Sequence, residues 1–451
     1  MKATLRQRLR RGIGAQGYAR AVNVLYQVAT VPLLISAWGV ELYGEWLILS
    51  AIPAYLAMSD VGFTTAAQNE MTMAIGRGER GSALNSFQSA WLLVVALSLA
   101  VVAAVIAAMF AAPFDQWLNL KILPPETARW VLMLLSVQIV VGLQSRMMYS
   151  GFHCVGSYGL GQFLSANIRL LQLGLLAIII IVQGGLVAAA AALATGEVLG
   201  AVVMRAFLWR VNPDISFGRR HAQLATIKRL AGPALAFAAF PMSNALNVQG
   251  MVLVVAALFG PAAVTVFSTL RTLTRFGLQL VGAIFGMIHA EISTAYGAND
   301  TGLLRQLHDR ACQAALWLTF CVAFGLGVLG EWLLHIWTNG EVTMDRDLFT
   351  VLLALVIVTS LWQVSMMLAY ATNRHQRGAI AYLLISLLAI PIAYGVAQML
   401  GLVGVAVTLV VVESFLVGYV VHMSLDFLRE TPLSFVRIVI RPPLFVFKLF
   451  R

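Results

Sequence analysis

The chain has 451 residues, of which 60% are hydrophobic and only 11% are charged. Soluble domains carry about a quarter of charged residues, so this composition excludes an ordinary soluble protein. The 30 Lys and Arg residues give a net charge of +11, but they are scattered between apolar runs, which disfavours nucleic acid as a partner. The three cysteines and seven histidines show no ligand spacing, so we expect no disulfide scaffold, no metal site and no cofactor.

Twelve apolar stretches are long enough to cross a bilayer, since a span needs about 20 mainly apolar residues. The sequence therefore predicts an all-α integral membrane protein with 12 transmembrane helices. The predicted spans cover residues 12–38, 43–75, 82–111, 128–152, 158–182, 186–208, 230–258, 262–290, 304–337, 348–372, 378–399 and 402–427. Pro32, Pro53, Pro241 and Pro391 are candidate kink points.

The basic residues predict the orientation, because Lys and Arg accumulate in cytoplasmic loops. With the N-terminus inside, 23 of the 30 fall in cytoplasmic segments, while Lys121, Arg129 and Arg346 fall in external ones. We therefore expect both termini to be cytoplasmic. The external loops are short and carry no catalytic constellation, so we expect no enzyme activity.

Short matches recur in the same order along the two halves, which predicts an internal repeat. Gly39 matches Gly260 at an offset of 221, Gln88 matches Gln313 at 225, and Glu197 matches Glu413 at 216. Six spans per half make the repeat parallel and give two pseudo-symmetric six-helix lobes, an architecture typical of transporters. The predicted organisation is a basic arm at 1–11, an N-terminal lobe at 12–208, a basic linker at 209–229, a C-terminal lobe at 230–427 and an amphipathic basic tail at 428–451.

Two predicted spans carry stripes of polar residues, which are costly in lipid and indicate a cavity wall. In the first span the stripe contains Arg20, Asn23 and Gln27, with polar contact between helices as the alternative. In the eighth span Arg271 and Arg275 lie four residues apart on one face, which Gln279 continues at the same spacing. Two guanidinium groups on one face suit bidentate binding of phosphate, and a structural ion pair is the alternative.

The acidic residues inside the spans are candidates for coupling or gating. Glu197 is placed to pair with Arg169, and Glu197 and Glu413 are equivalent in the repeat, which favours a structural role over proton carriage. Asp60 is a candidate gate or partner of Arg20. Asn244 and Asn247, in the seventh span, are further candidate cavity residues, and ordinary interhelical hydrogen bonding is their alternative.

The tail from Arg429 alternates basic and apolar residues, which fits a segment lying on anionic lipid, although an anchor without function fits equally.

The stretches WGVELYGEWLILSAIPAYLAMSDVGFTTAAQNEM at 38–71 and GRGERGSALNSFQSAWLL at 76–93 resemble Wzx-type O-antigen and capsule flippases. These proteins belong to the superfamily that contains multidrug exporters and lipid II flippases. The resemblance implies a bacterial inner-membrane protein that moves an undecaprenyl-pyrophosphate-linked oligosaccharide to the periplasmic leaflet. It also implies a cationic cavity, coupling to protons, sodium or the membrane potential, and partners in polysaccharide assembly.

Three functions compete at this point. A flippase agrees with the intramembrane arginines, because a cationic cavity favours anionic cargo. A cation-coupled multidrug antiporter of the same superfamily is the alternative, and it would favour an acidic cavity. A membrane enzyme that polymerises or ligates glycans would need larger external loops. A porter of the major facilitator type is disfavoured because GRGERGSAL, at 76–84, lacks that family's loop pattern.

Overall fold

The computed structural model describes residues 5–58, 60, 62–111, 118–298, 300–372 and 376–443. Within them, the side chains of residues 5–13, 108, 111, 233, 236, 280–281, 283–290, 293–294 and 297 are not described. The first four residues of the predicted arm and the last eight of the predicted tail therefore lie outside the described residues. All regular secondary structure in the described ranges is helical.

The chain forms two compact units, residues 1–245 and 246–451. The first unit contains α1 (Leu5–Leu56), α2 (Phe63–Gly76), α3 (Arg80–Ala111), α4 (Pro125–Cys154), α5 (Tyr158–Ile181), α6 (Leu186–Val211) and α7 (Leu224–Ala245). The second contains a π-helix (Leu246–Gly250), α8 (Met251–Phe259), α9 (Pro261–Gly297), α10 (Thr301–Trp337), α11 (Arg346–Ala371), α12 (Gln376–Leu428) and α13 (Pro432–Ile440). The predicted boundaries of the two lobes and of the linker remain predictions.

Nine helices in the described part are long and apolar enough to cross a membrane. Their outer surfaces carry large apolar side chains, such as Ile181 at 78% and Phe324 at 69% exposure, which a soluble protein rarely presents in this density. The chain is therefore a multi-span helical membrane protein. The number of twelve spans and the cytoplasmic termini stay predictions.

Three glycines interrupt the helices where predicted spans meet. Gly39 divides α1 with φ 75° and ψ 174°, and Gly260 ends α8 with φ 82° and ψ −176°. This backbone region is open almost only to glycine. Gly401 divides α12 with φ 64°. Gly39 and Gly260, which match in the sequence repeat, thus share one unusual conformation.

The second predicted span, 43–75, contains a break. The chain leaves the helix after Leu56 and re-enters it at Phe63. Asp60 closes the turn, because its Oδ1 accepts the Gly62 N–H at 3.0 Å and its carbonyl accepts the Phe63 N–H at 2.8 Å. Gly62 has φ 73° and lies against α7, where an added Cβ would stand 2.3 Å from the Ala234 carbonyl oxygen. The turn therefore depends on glycine.

The start of α3 holds the loop that follows α6. Gln88 Nε2 donates to the Ser216 carbonyl at 3.0 Å, and its Oε1 accepts the His221 N–H at 2.8 Å. Arg80 forms an ion pair with Asp214 at 2.6 Å. The second stretch of the family resemblance, 76–93, therefore contributes the residues that fix this loop.

The start of α10 holds the segment that follows α12 in the same manner. Gln313 Nε2 donates to the Arg441 carbonyl at 2.7 Å, and Arg305 pairs with Glu430 at 2.7 Å. Gln88 and Gln313 match in the predicted repeat, and Arg80 and Arg305 are separated by the same 225 residues. The loop after α6 and the segment after α12 are thus held by residues at matching positions of the predicted repeat.

Glu45 fixes the loop between α3 and α4. Its fully buried carboxylate accepts the backbone N–H groups of Lys121 at 2.5 Å, Ile122 at 2.7 Å and Leu123 at 2.9 Å. A carboxylate that accepts several backbone N–H groups remains stable when buried, because its charge is compensated by donors. Glu45 lies in the first stretch of the resemblance, so a structural role accounts for it.

Candidate functional site

Arg271 lies on α9 inside the second unit and is only 7% exposed. Its Nη1 donates to the carbonyl of Asn247 at 2.8 Å, and its guanidinium carbon lies 5.7 Å from the centre of the Phe267 ring. Counted from the start of the eighth predicted span, Arg271 is about 14 Å and Arg275 about 20 Å along the helix, on either side of a bilayer's midplane. Arg271 is therefore a deeply buried cation with a backbone partner.

Asn247 belongs to the π-helix Leu246–Gly250, and such turns occur frequently at functional sites. Its side-chain amide donates to the Tyr382 hydroxyl at 3.0 Å and to the Ser386 hydroxyl at 3.2 Å. Oδ1 of Asn247 and Nε of Arg271 are buried and have no hydrogen-bond partner among the described residues. Because buried polar atoms are nearly always bonded, these two atoms indicate that the cluster can receive a further polar group.

Glu413 on α12 supplies the negative charge of this cluster. It is 5% exposed, and its Oε2 accepts hydrogen bonds from the Thr359 hydroxyl and, at 3.2 Å, from Trp362 Nε1. The Trp362 ring lies 4.8 Å from the Tyr382 ring. The carboxylate is thus fixed by α11, while its charge remains available to the arginines.

Arg275 lies one helical turn after Arg271 and is partly exposed. Both arginines interact electrostatically with Glu413. Two guanidinium groups and one carboxylate leave one uncompensated positive charge within this group. The electrostatics of the second unit's interior therefore favour an anionic ligand, with Arg275 as the more accessible cation.

Glu197 on α6 occupies a corresponding environment inside the first unit. Its Oε1 accepts the Ser145 hydroxyl at 2.8 Å, and its Oε2 accepts Gln172 Nε2 at 3.1 Å. Arg169 interacts electrostatically with Glu197 and also lies 5.8 Å from the centre of the Tyr26 ring. The predicted Arg169–Glu197 association is therefore electrostatic, and the direct hydrogen bonds come from uncharged side chains.

Two cavities lie inside the first unit. One of about 380 Å³ is lined by polar side chains that include Gln138, Arg169 and Glu197. The other, of about 420 Å³, includes Asp60 and Gln68, and both are lined by Arg146. Asp60 therefore lines a cavity of mixed polarity in addition to closing the turn before α2.

The remaining predicted site residues are more accessible. In α1, Ala19 and Val22 pack with Ala166 of α5, so the polar stripe lies away from that contact. Its members Arg20 and Gln27 are exposed and Asn23 is half-buried, while Asn244 and Gln279 are also exposed. The structure brings Arg271, Arg275, Asn247 and Glu413 into one cluster.

Sequence reasoning missed the uncharged partners of the two acids, Glu197 and Glu413, and of Asn247. Thr359, Trp362, Tyr382 and Ser145 lie on helices far along the chain from the residues that they contact. Polar side chains inside otherwise apolar spans were the available signal, but their pairing depends on tertiary packing. Among the described residues, no group of three or more His, Cys, Asp or Glu side chains is placed to hold a metal ion.

Comparison with known proteins shows the fold. No protein-family model and no curated protein sequence matches the chain. Among solved structures, an inward-facing multidrug resistance MATE family transporter of the MOP superfamily matches with a TM-score of 0.75 and 16% identity, over 90% of this chain and 94% of that one. The lipid II flippase MurJ matches with a TM-score of 0.70 and 14% identity, over 94% and 89%. An outward-facing MATE family transporter matches with a TM-score of 0.65 and 16% identity, over 94% and 96%. The chain therefore has the transporter fold that these proteins share.

Proposed function

We propose that the protein is a flippase that moves an undecaprenyl-pyrophosphate-linked oligosaccharide across the bacterial inner membrane by alternating access. The observation that carries the proposal is the pair of arginines on α9, the buried Arg271 and the partly exposed Arg275, both of which interact electrostatically with Glu413. Burying a cation such as Arg271 in an apolar helical unit is costly, and binding an anion there offsets the cost.

The two arginines take different parts in phosphate binding. Arg271 is held by the carbonyl of Asn247, so it supplies a fixed positive charge. Arg275 is more accessible and offers its planar fork to phosphate oxygens, a geometry that Lys does not reproduce. A pyrophosphate has enough oxygens to satisfy both, including the unpartnered Nε of Arg271.

Further residues are proposed to serve the same transport cycle. Polar side chains are further candidates for contact with the glycan and pyrophosphate, and the acidic residues are candidates for coupling to protons or sodium or for gating. The first group comprises Arg20, Asn23, Gln27, Asn244, Asn247 and Gln279, and the second comprises Asp60, Glu197 and Glu413. Membrane lipids and proteins of polysaccharide assembly are the proposed partners.

The second candidate is a cation-coupled multidrug antiporter. It is favoured by the similarity of fold to MATE family transporters and by two carboxylates inside the helical units, the half-buried Glu197 and the buried Glu413. The excess of positive charge around Glu413 disfavours it, because a cationic drug would be repelled by Arg271 and Arg275.

The test measures leaflet translocation of a polyprenyl-pyrophosphate oligosaccharide in proteoliposomes, with uptake of a cationic dye and empty vesicles as controls. We expect the native protein to translocate the lipid. Arg275→Ala should lower the rate by about tenfold or more, since a charged hydrogen bond contributes about 1.5–3 kcal/mol. Arg275→Lys should recover only part of it, because the fork is lost.

Arg346→Ala is the matched control, because Arg346 is exposed and pairs only at the surface with Glu331. Native translocation with unchanged activity of Arg275→Ala would retain the flippase and refute the assignment of Arg275. Dye uptake without lipid translocation would refute the flippase and establish the antiporter.

A further inference from the structure

The last described helix, α13 (Pro432–Ile440), is joined by three connecting residues to the apolar helix α12, which ends at Leu428. Arg429 reverses the chain with φ 53°, and Thr431 caps the new helix by accepting the Ser434 N–H. Because α12 is long and apolar enough to span a membrane, so short a connection keeps α13 close to the membrane surface. Its position along the membrane normal is therefore restricted.

One face of α13 is fixed on α10. Phe435 and Val439 are buried in the core of the second unit, and the Phe435 ring stacks on His308 with centroids 5.4 Å apart. The ion pair between Arg305 and Glu430 precedes the helix. The bond from Gln313 to the carbonyl of Arg441 follows it, so both ends of α13 are anchored.

The opposite face of α13 is apolar and uncovered. Leu433 is 62% exposed, Val436 47% and Ile440 61%. Their spacing of three and four residues places them on one side of the helix. Arg437, one turn after Leu433, is exposed beside this side, as are Arg429 and Arg441 at the two ends. An apolar stripe bordered by arginines is the pattern of helices that lie in a membrane interface.

The loop that holds the corresponding place in the first unit lacks this pattern. Residues 212–223 are fixed by Arg80 and Gln88, as 429–441 are by Arg305 and Gln313, but they contain no regular helix. Both segments are thus held by an arginine and a glutamine of a preceding helix, but only the segment 429–441 also contains an amphipathic helix. The anchoring alone therefore does not account for α13.

We propose that α13 is a binding site for anionic phospholipid of the cytoplasmic leaflet. Leu433, Val436 and Ile440 insert among the acyl chains, and the three exposed arginines, at 429, 437 and 441, bind lipid phosphates. The side of the membrane follows from the predicted orientation, which places this basic segment inside. Phosphate groups bear the charge that complements exposed guanidinium groups, so anionic lipid is favoured over zwitterionic lipid.

The experiment places an environment-sensitive fluorophore on the exposed stripe of the full chain. Cys154 and Cys312 are buried, so the variant Cys321→Ser, Val436→Cys is labelled at position 436 alone. The labelled protein is reconstituted in phosphatidylcholine nanodiscs that also contain a phosphatidylglycerol analogue and a phosphatidylcholine analogue at equal mole fractions. In one sample the phosphatidylglycerol analogue is brominated, and in the other sample the phosphatidylcholine analogue is brominated. We expect quenching by both lipids and local enrichment of phosphatidylglycerol by at least about fivefold, the preference that one arginine near the surface provides.

The triple variant Arg429→Gln, Arg437→Gln, Arg441→Gln should reduce this enrichment to about one while both lipids still quench. The triple variant Arg210→Gln, Arg219→Gln, Arg220→Gln removes the same charge from exposed positions of the first unit and should retain the enrichment. Equal quenching by the two lipids in the native protein would overturn the proposal. Absence of quenching by either lipid would also overturn it, because the stripe would then lie outside the bilayer.

Discussion

Replacing Glu45 by Gln tests how the loop between α3 and α4 is held. Oε1 of Glu45 accepts the N–H groups of Lys121 and Ile122, while Oε2 accepts that of Leu123. Gln has only one acceptor oxygen, so it can keep the two bonds from Lys121 and Ile122. In that orientation its amide NH₂ group faces the Leu123 N–H, and two donors then oppose each other. Hydrogen bonds to charged groups contribute about 1.5–3 kcal/mol each, and the buried site offers Leu123 no water in exchange. We expect local stability to fall by about 2–3 kcal/mol, which corresponds to about 30- to 150-fold faster opening.

Amide hydrogen exchange followed by mass spectrometry measures this opening directly, with peptides that resolve residues 118–124. The Leu123 amide should lose the most protection, and Lys121 and Ile122 should lose less. Glu41→Gln is the matched control, since Glu41 is an exposed acid one helical turn earlier on α1. A change of less than about threefold at Leu123, or an equal change in Glu41→Gln, would refute the reasoning.

Two further variants test the backbone and the loop contacts. Gly62→Ala should lower the midpoint of thermal unfolding more than Gly78→Ala does, because both glycines have a positive φ, 73° and 80°, but only at Gly62 would the new Cβ meet a backbone oxygen, that of Ala234 at 2.3 Å. We expect about 1 kcal/mol from the dihedral alone and a further 1–3 kcal/mol from the overlap, and equal midpoints would contradict this. Gln88→Leu removes the bond to the Ser216 carbonyl and should make the loop after α6 more sensitive to protease in reconstituted protein, with Asn69→Leu, at an exposed position of α2, as the control. Unchanged cleavage would show that Arg80 and its neighbours hold the loop without Gln88.

Hydropathy predicts the helices well because the requirement to bury backbone groups in lipid acts on every span alike. It predicts neither the turn at Asp60 and Gly62 nor the π-helix at 246–250, because each is a short segment inside a longer and mainly apolar stretch. The signal for the turn is local: an aspartate two residues before a glycine forms a side-chain turn that continues through glycine's positive φ. The π-helix has no comparable signal, because the Arg271 contact at Asn247 comes from another helix.

The arginine pair could be predicted because helical periodicity places residues four apart on one face. Its surroundings could not be predicted, since they depend on which helices become neighbours. Glu413 contacts Trp362 and Thr359 across about fifty residues of chain. Trp362 is almost completely buried, at 1% exposure, with its ring nitrogen bonded to the carboxylate. A buried indole needs such a partner for its N–H, which is why the two residues meet.

The internal repeat separates what the two halves share from what only one half has. Glu197 and Glu413 are equivalent in the repeat, and each accepts a bond from a hydroxyl on the long helix two predicted spans earlier, Ser145 on α4 and Thr359 on α11. A contact that is present in both halves serves the packing that both halves need.

The arginines differ from the glutamates in this respect. At the offset of 221 that relates Gly39 to Gly260, positions 271 and 275 correspond to Ser50 and Ala54, so the first half has no counterpart of the pair. A cargo with one charged head group requires one cationic site per molecule. Such a cargo favours an arginine pair that occurs in only one half of a repeated sequence. We therefore expect the pyrophosphate to bind at the arginines of α9 and not at either glutamate.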